Sequence, residues 1–95
     1  MTVSRYYLMI AREGEIDALR KALIGLAEQV RALPGCDGVE IGQEDKATNR
    51  FHFVERWTSV DAHREGGKLL PKDATAPLRA LIAEPPYGAY LNAVS

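Results

Sequence analysis

The chain has 95 residues, a net charge of −1 and basic and acidic side chains interleaved along it. That length holds one domain, residues 1–95, and with no basic stripe to neutralise phosphates the composition argues against nucleic-acid binding. Apolar residues make up 46% and charged ones 26%, the balance of a folded globular chain rather than a disordered one.

The first expected element is a strand from Val3 to Ala11, rich in Val, Tyr, Leu and Ile. Both sets of alternate positions are largely apolar beyond Arg5, so both faces of this strand look covered. Its apolar run, Tyr6 to Ala11, is far short of the roughly 20 residues that cross a bilayer, and its flanks are wrong for a signal peptide. A helix follows: Ile16, Leu19, Leu23, Leu26, Val30 and Leu33 recur at steps of three and four and form one apolar stripe. Glu15 and Asp17 near its start and Arg31 near its end suit the helix dipole, and Pro34-Gly35 ends it.

A second strand is expected over Cys36 to Glu44, a polar turn over Asp45 to Asn49, and a third strand over Arg50 to Trp57. The third puts Phe51, Phe53, Glu55 and Trp57 on one side and His52, Val54 and Arg56 on the other. The turn between the two strands suggests an antiparallel hairpin. A helix can begin at Ser59, a suitable N-cap, with Gly66-Gly67 expected to stop or loosen it. After a connection around Pro71, a short helix resumes near Thr75 with Leu78, Leu81 and Ile82 as its apolar face, and Glu84-Pro85-Pro86 breaks it. Tyr87 to Val94 reads as the last strand.

This order is β-α-β-β-α-β, the α+β, ferredoxin-like pattern of four antiparallel strands under helices. Helices can cover one face of such a sheet, yet strands one, three and four carry apolar residues toward both. A large exposed apolar patch is rare on a monomer, so a homodimer that buries the second face is the expected assembly. The single cysteine, Cys36, cannot form an intrachain disulfide and reads as a small packing residue, which makes the cytoplasm the default location.

The segment LPGCDGVE, Leu33 to Glu40, resembles the helix-to-strand junction of the antibiotic biosynthesis monooxygenase family. FHFVERWTSVDA, Phe51 to Ala62, resembles that family's third strand and the start of its second helix, and the Leu-rich helix running into Glu84-Pro85-Pro86 and a final strand resembles its tail. The resemblance covers nearly the whole chain and rests on the order and spacing of these segments together. It implies a dimeric α+β barrel in which two four-stranded sheets meet with helices outside. It also implies an enzyme that oxidises a quinol, anthrone or similar phenol with molecular oxygen and no flavin, metal or haem. Other branches of the family degrade haem, and one acts on signalling molecules. The haem-degrading pattern of Trp, His and Asn finds Gly66 and Ala76 at its helical positions and no asparagine on strand one, which argues against haem as the substrate. A non-catalytic ligand-binding barrel and an isomerase on the same fold are the alternative functions.

Cofactor-free oxygenation needs a phenol to lose its proton. A phenol titrates near 10 and a histidine near 6.5, a gap of about 5 kcal/mol, so a histidine base requires help from an arginine or from aimed hydrogen-bond donors. Candidate catalytic residues are His52, His63 and Trp57. Trp57 ends a strand where a pocket under the helices would open, though large aromatics also fill cores. His63 lies early in the second helix, about three residues from where relatives carry a histidine. His52 faces either the dimer interior or the pocket. Candidate substrate contacts are Tyr7, Phe53, Arg56 and Asn92. Arg56 could hold an anion or pair with Glu55 or Glu40. Tyr6, Tyr7, Tyr87 and Tyr90 could hydrogen-bond a quinol, and strands favour tyrosine for packing in any case. The two histidines, eleven residues apart on different elements, lack zinc-motif spacing, and no dinucleotide, phosphate-loop or nucleophile-elbow signature is present.

Overall fold

The computed structural model describes residues 2–95. Strand β1 (Val3–Ile10), helix α1 (Ile16–Arg31), strands β2 (Cys36–Gln43) and β3 (Arg50–Trp57), helix α2 (Val60–Leu69), a 3-10 turn (Lys72–Ala74), helix α3 (Leu78–Leu81) and strand β4 (Tyr87–Leu91) follow in order. The strands form one sheet, β2-β3-β1-β4, with every neighbouring pair antiparallel. This is the α+β, ferredoxin-like arrangement. No described helix is long and apolar enough to cross a membrane.

Side chains alternate across a strand, and the register therefore assigns every residue to a face. Tyr7 pairs with Phe53, Arg5 with Glu55 and Val3 with Trp57 across β1 and β3, while Arg5 also pairs with Tyr90 across β1 and β4. All of these project toward the helices. The other set, with Tyr6 opposite Val54 and Ala89 and Leu8 opposite His52 and Tyr87, projects to the bare face.

The core lies between the inner face and α1. Leu19, Leu23, Leu26, Ala27 and Val30 are buried on the helix, and Phe51, Phe53 and Trp57 are buried on β3. The periodic stripe produces this packing directly. Full burial of such a side chain contributes about 1.5–3 kcal/mol. The end of α1 is tied to β2 by Arg31, whose Nη2 donates to the Val39 carbonyl at 2.9 Å.

Helix α2 departs from the sequence expectation. Ser59 does cap it, its Oγ accepting from the Ala62 amide at 3.0 Å, but the helix runs through Gly66-Gly67 to Leu69. The reason is steric. A Cβ at Gly66 would lie 2.6 Å from Cη2 of Trp57, so Gly66 is the seat of the indole and not a helix stop. Strand β4 is also shorter than expected, ending at Leu91 rather than Val94. Leu91 pairs with Ser4, and β1 begins only one residue earlier, at Val3, so at most one strand residue remains opposite the segment Asn92 to Val94. Beyond α3, the Ala83 amide donates to the Ile10 carbonyl and the Arg12 amide to Leu81, both at 2.8 Å, which fixes Leu78 and Ile82 against the sheet.

Candidate active site

A cavity of about 290 Å³ opens between the inner face of the sheet and the three helices. Met9, Leu26, Val30, Leu33, Phe53 and Leu78 are among its apolar walls. Tyr7, Glu55, Trp57 and His63 bring polar atoms to one region of the lining.

His63 is the centre of that region. It sits on the first turn of α2, which Ser59 caps and Gly66 presses against Trp57. Both ring nitrogens are engaged: Nδ1 with the Tyr90 hydroxyl at 2.7 Å and Nε2 with the Tyr7 hydroxyl at 3.3 Å. A neutral imidazole has one N–H and one acceptor nitrogen. In the tautomer that donates from Nδ1 to Tyr90, Nε2 is left as the acceptor beside the cavity, with only a long bond to Tyr7 for a ligand hydroxyl to displace. The Trp57 ring lies edge-on to the imidazole, with centroids 5.4 Å apart.

Glu55 stands beneath, buried at 5% exposure. Its Oε1 accepts from Trp57 Nε1 at 2.8 Å and lies 3.7 Å from His63 Nε2, too far for a hydrogen bond. Burial raises the Glu55 carboxyl above the usual carboxylate range, against the pull of the Trp57 hydrogen bond and Arg5. Burial likewise lowers His63, assisted by the positive charges of Arg5 and Arg64. Desolvation thus favours the neutral form of both members of the pair. Burial also raises the Tyr7 phenol.

Arg5 links these groups. Its guanidinium lies 4.9 Å from the Tyr7 ring centroid and 4.5 Å from that of Tyr90, cation–π distances on both phenols that hold His63. The space exists because position 88 is glycine: a Cβ there would fall 2.6 Å from Arg5 Nη2. Arg5 Nε is buried and has no hydrogen-bond partner among the described residues, so the guanidinium is held by ring faces and not by a carboxylate.

Of the residues singled out by sequence, the structure brings Tyr7, Phe53, Trp57 and His63 together around the cavity. His52 and Arg56 project to the opposite face of the sheet. There His52 contacts Tyr6 and Glu44, and Arg56 Nη1 donates to Glu40 at 3.0 Å. Asn92 is exposed beyond the end of β4, outside the cavity lining. Sequence reasoning passed over Arg5 and Glu55. Glu55 had a visible signal, as the one carboxylate in the alternating set Phe51, Phe53, Glu55, Trp57. Arg5 had none, because its partners lie on other strands.

The cavity couples an apolar slot to an imidazole whose neutral form is favoured and to a buried carboxyl, with the fixed positive charge of Arg5 behind the Tyr7 ring. That set can take a proton from a weakly acidic hydroxyl and stabilise the anion formed.

Among curated proteins, none matches the chain by sequence. Solved structures match its fold over nearly full length. Rv0793 from Mycobacterium tuberculosis superposes with a TM-score of 0.86 at 21% identity, covering 100% of this chain and 97% of that one. PA3566 from Pseudomonas aeruginosa gives 0.84 at 18% identity, covering 99% and 95%. SnoaB, a cofactor-independent oxygenase from Streptomyces nogalater in a mutant form, gives 0.86 at 19%, covering 99% and 94%. Residues 3–65 match the family model described as antibiotic biosynthesis monooxygenase, and the chain therefore belongs to that family.

Proposed function

We propose that this protein is a cofactor-independent monooxygenase that oxidises a small quinol or related phenol with molecular oxygen. The observation that carries the reading is the meeting of His63, Tyr7 and Glu55 in one region of an apolar cavity, with Tyr90 bonded to His63 and Arg5 stacked on Tyr7 behind them. Family membership and the fold shared with SnoaB support it.

The chemistry follows from the groups present. His63 Nε2 accepts the phenol proton. Because desolvation weakens that base, the phenolate needs a second stabilising influence, and the fixed charge of Arg5 beside Tyr7 supplies it. The electron-rich anion then passes an electron to dioxygen, and the resulting radical pair combines at ring carbon to give a peroxide. Loss of water from the peroxide leaves the oxidised ring. The balance is one quinol and one O₂ giving one hydroxyquinone and one water. Glu55, whose protonated form is favoured by its burial, returns a proton to the departing oxygen in this reading.

The protein acts as a homodimer in this reading. Tyr6, Leu8 and Ile10 on β1, Val54 on β3 and Ala89 and Leu91 on β4 share the face that no helix covers, and a second copy packed there removes them from water. Light scattering should give twice the mass of one chain, reduced to one by Leu8→Asp.

Oxygen uptake by flavin-free, metal-stripped protein tests the reaction. Consumption of one O₂ per quinol above the spontaneous rate, lost in His63→Ala, is expected. Tight binding of phenols with no uptake would replace the oxygenase by a binding barrel.

A further inference from the structure

The cavity has polar groups in a second place. Gly67, Thr75, Arg79 and Pro86 line it and are exposed, so they form its rim, whereas Glu55 and Trp57 are buried. Arg79, from α3, is the one side chain of fixed positive charge in the lining. Six of the chain's seven other arginines are committed elsewhere, and the seventh, Arg64, like Arg79 without an ion pair or side-chain hydrogen bond among the described residues, is not in the lining. Arg12 and Arg31 donate to backbone carbonyls, Arg20, Arg50 and Arg56 pair with carboxylates, and Arg5 is stacked on two tyrosines. Arg79 has no ion pair or side-chain hydrogen bond among the described residues.

Size narrows the ligand further. A cavity of about 150 Å³ holds a single benzene ring, and this one measures about 290 Å³, room for two fused rings and not for four. Between the His63 region and the rim the walls are apolar, with Met9, Leu26, Val30, Phe53, Leu78 and Ile82 among them. The occupant that matches is flat, apolar in its middle, and polar at both ends.

We propose that the substrate is a two-ring phenol bearing a carboxylate, held with its hydroxyl at His63 and its carboxylate at Arg79. The planar guanidinium fork suits a carboxylate by two parallel hydrogen bonds, and Arg79 is the residue that selects the acid over its uncharged parent. This substrate assignment rests on the oxygenase reading above for the hydroxyl end alone; the Arg79 end stands on geometry and charge.

Calorimetric titration with a hydroxynaphthoate and with plain naphthol, neither of which requires turnover, tests the assignment. The acid should bind about tenfold more tightly than naphthol, the range of one charge-assisted hydrogen-bonded contact. Arg79→Gln should abolish that preference while leaving naphthol affinity and thermal midpoint unchanged, since Arg79 is exposed. Arg79→Lys, which keeps the charge and loses the fork, should retain part of it. Equal affinity for the two ligands in the parent protein, or a preference that survives Arg79→Gln, overturns the assignment. So does a four-ring acid that binds as tightly as the two-ring one. Oxygen uptake with the matching dihydroxynaphthoate and naphthohydroquinone separates the two proposals. Binding preference without uptake removes the oxygenase reading and keeps the ligand class. Uptake without preference removes the ligand class and keeps the reaction.

Discussion

The two faces of the sheet carry the same three residue types and use them differently. On the bare face, His52 lies between Tyr6 and Glu44, with Nδ1 at 2.5 Å from the Tyr6 hydroxyl and Nε2 at 2.7 Å from Glu44. On the helix-covered face, His63 lies between Tyr90, Tyr7 and Glu55. Glu44 also takes a hydrogen bond from Arg50 at 2.7 Å, and that bond, followed by the one from His52, holds its carboxyl below the usual range. Glu55 has no such cationic hydrogen-bond donor, and burial moves it the other way. One trio is thus an ion-paired surface cluster. The other is a pair of groups facing a cavity, each shifted by burial toward its neutral form. Tyr, His and Glu do not by themselves make an active site; removal of water around them decides the protonation states that chemistry can use.

The sharpest break of this comparison is removal of each histidine in turn. His63→Ala should lower oxygen uptake by about 10²–10⁴, the usual contribution of a positioned base, whereas His52→Ala should leave the rate per folded active site within a few-fold. Equal losses in both variants would show that the two trios are not functionally distinct. The inner face should also hold most of the stability. Trp57→Ala should cost about 3–5 kcal/mol in denaturant unfolding, because the indole is 1% exposed and leaves Glu55 without its donor. Arg56→Ala, across the sheet in an exposed pair, should cost under about 1 kcal/mol.

Two smaller effects sharpen the contrast. Gly66→Ala forces its new methyl against a rigid indole and should destabilise by about 1–3 kcal/mol. Gly67→Ala, with nothing within 4 Å of its Cβ, should be neutral or stabilise by up to about 1 kcal/mol. Equal effects would mean that Gly66 is not shaped by Trp57. The smallest change concerns pH. His63 is lowered from 6.5, so the folded state resists the proton that an unfolded chain accepts. Stability should decline as pH falls through the ordinary histidine range, and the base should remain free somewhat below it. Arg5→Met removes one of the lesser causes, and the acid limb of the rate profile should move upward, toward the ordinary value. No movement would leave burial and Arg64 as the explanation.

The sheet and α1 were legible because alternation and the three-four stripe are local properties. What escaped was set by contacts between distant positions. Gly66 reads as a helix breaker until Trp57, nine residues earlier, is seen to occupy its missing side chain's space. Asn92 reads as part of a strand until the start of β1 is found beside it. His63 could be nominated from its type, but its partners Tyr7 and Tyr90 stand 56 and 27 positions away, and no spacing rule connects them. His52 and His63 were equivalent candidates in sequence; register and burial separate them.

Trp57 is the chain's single tryptophan, and it lies in the cavity wall, edge-on to His63. All indole fluorescence of the protein therefore originates at one position beside the proposed base. A protonated imidazole quenches a neighbouring indole more strongly than a neutral one, and an aromatic ligand displaces water from around both. The molecule carries its own unlabelled reporter, in which emission intensity follows the charge on His63 and emission wavelength follows whether the cavity is filled.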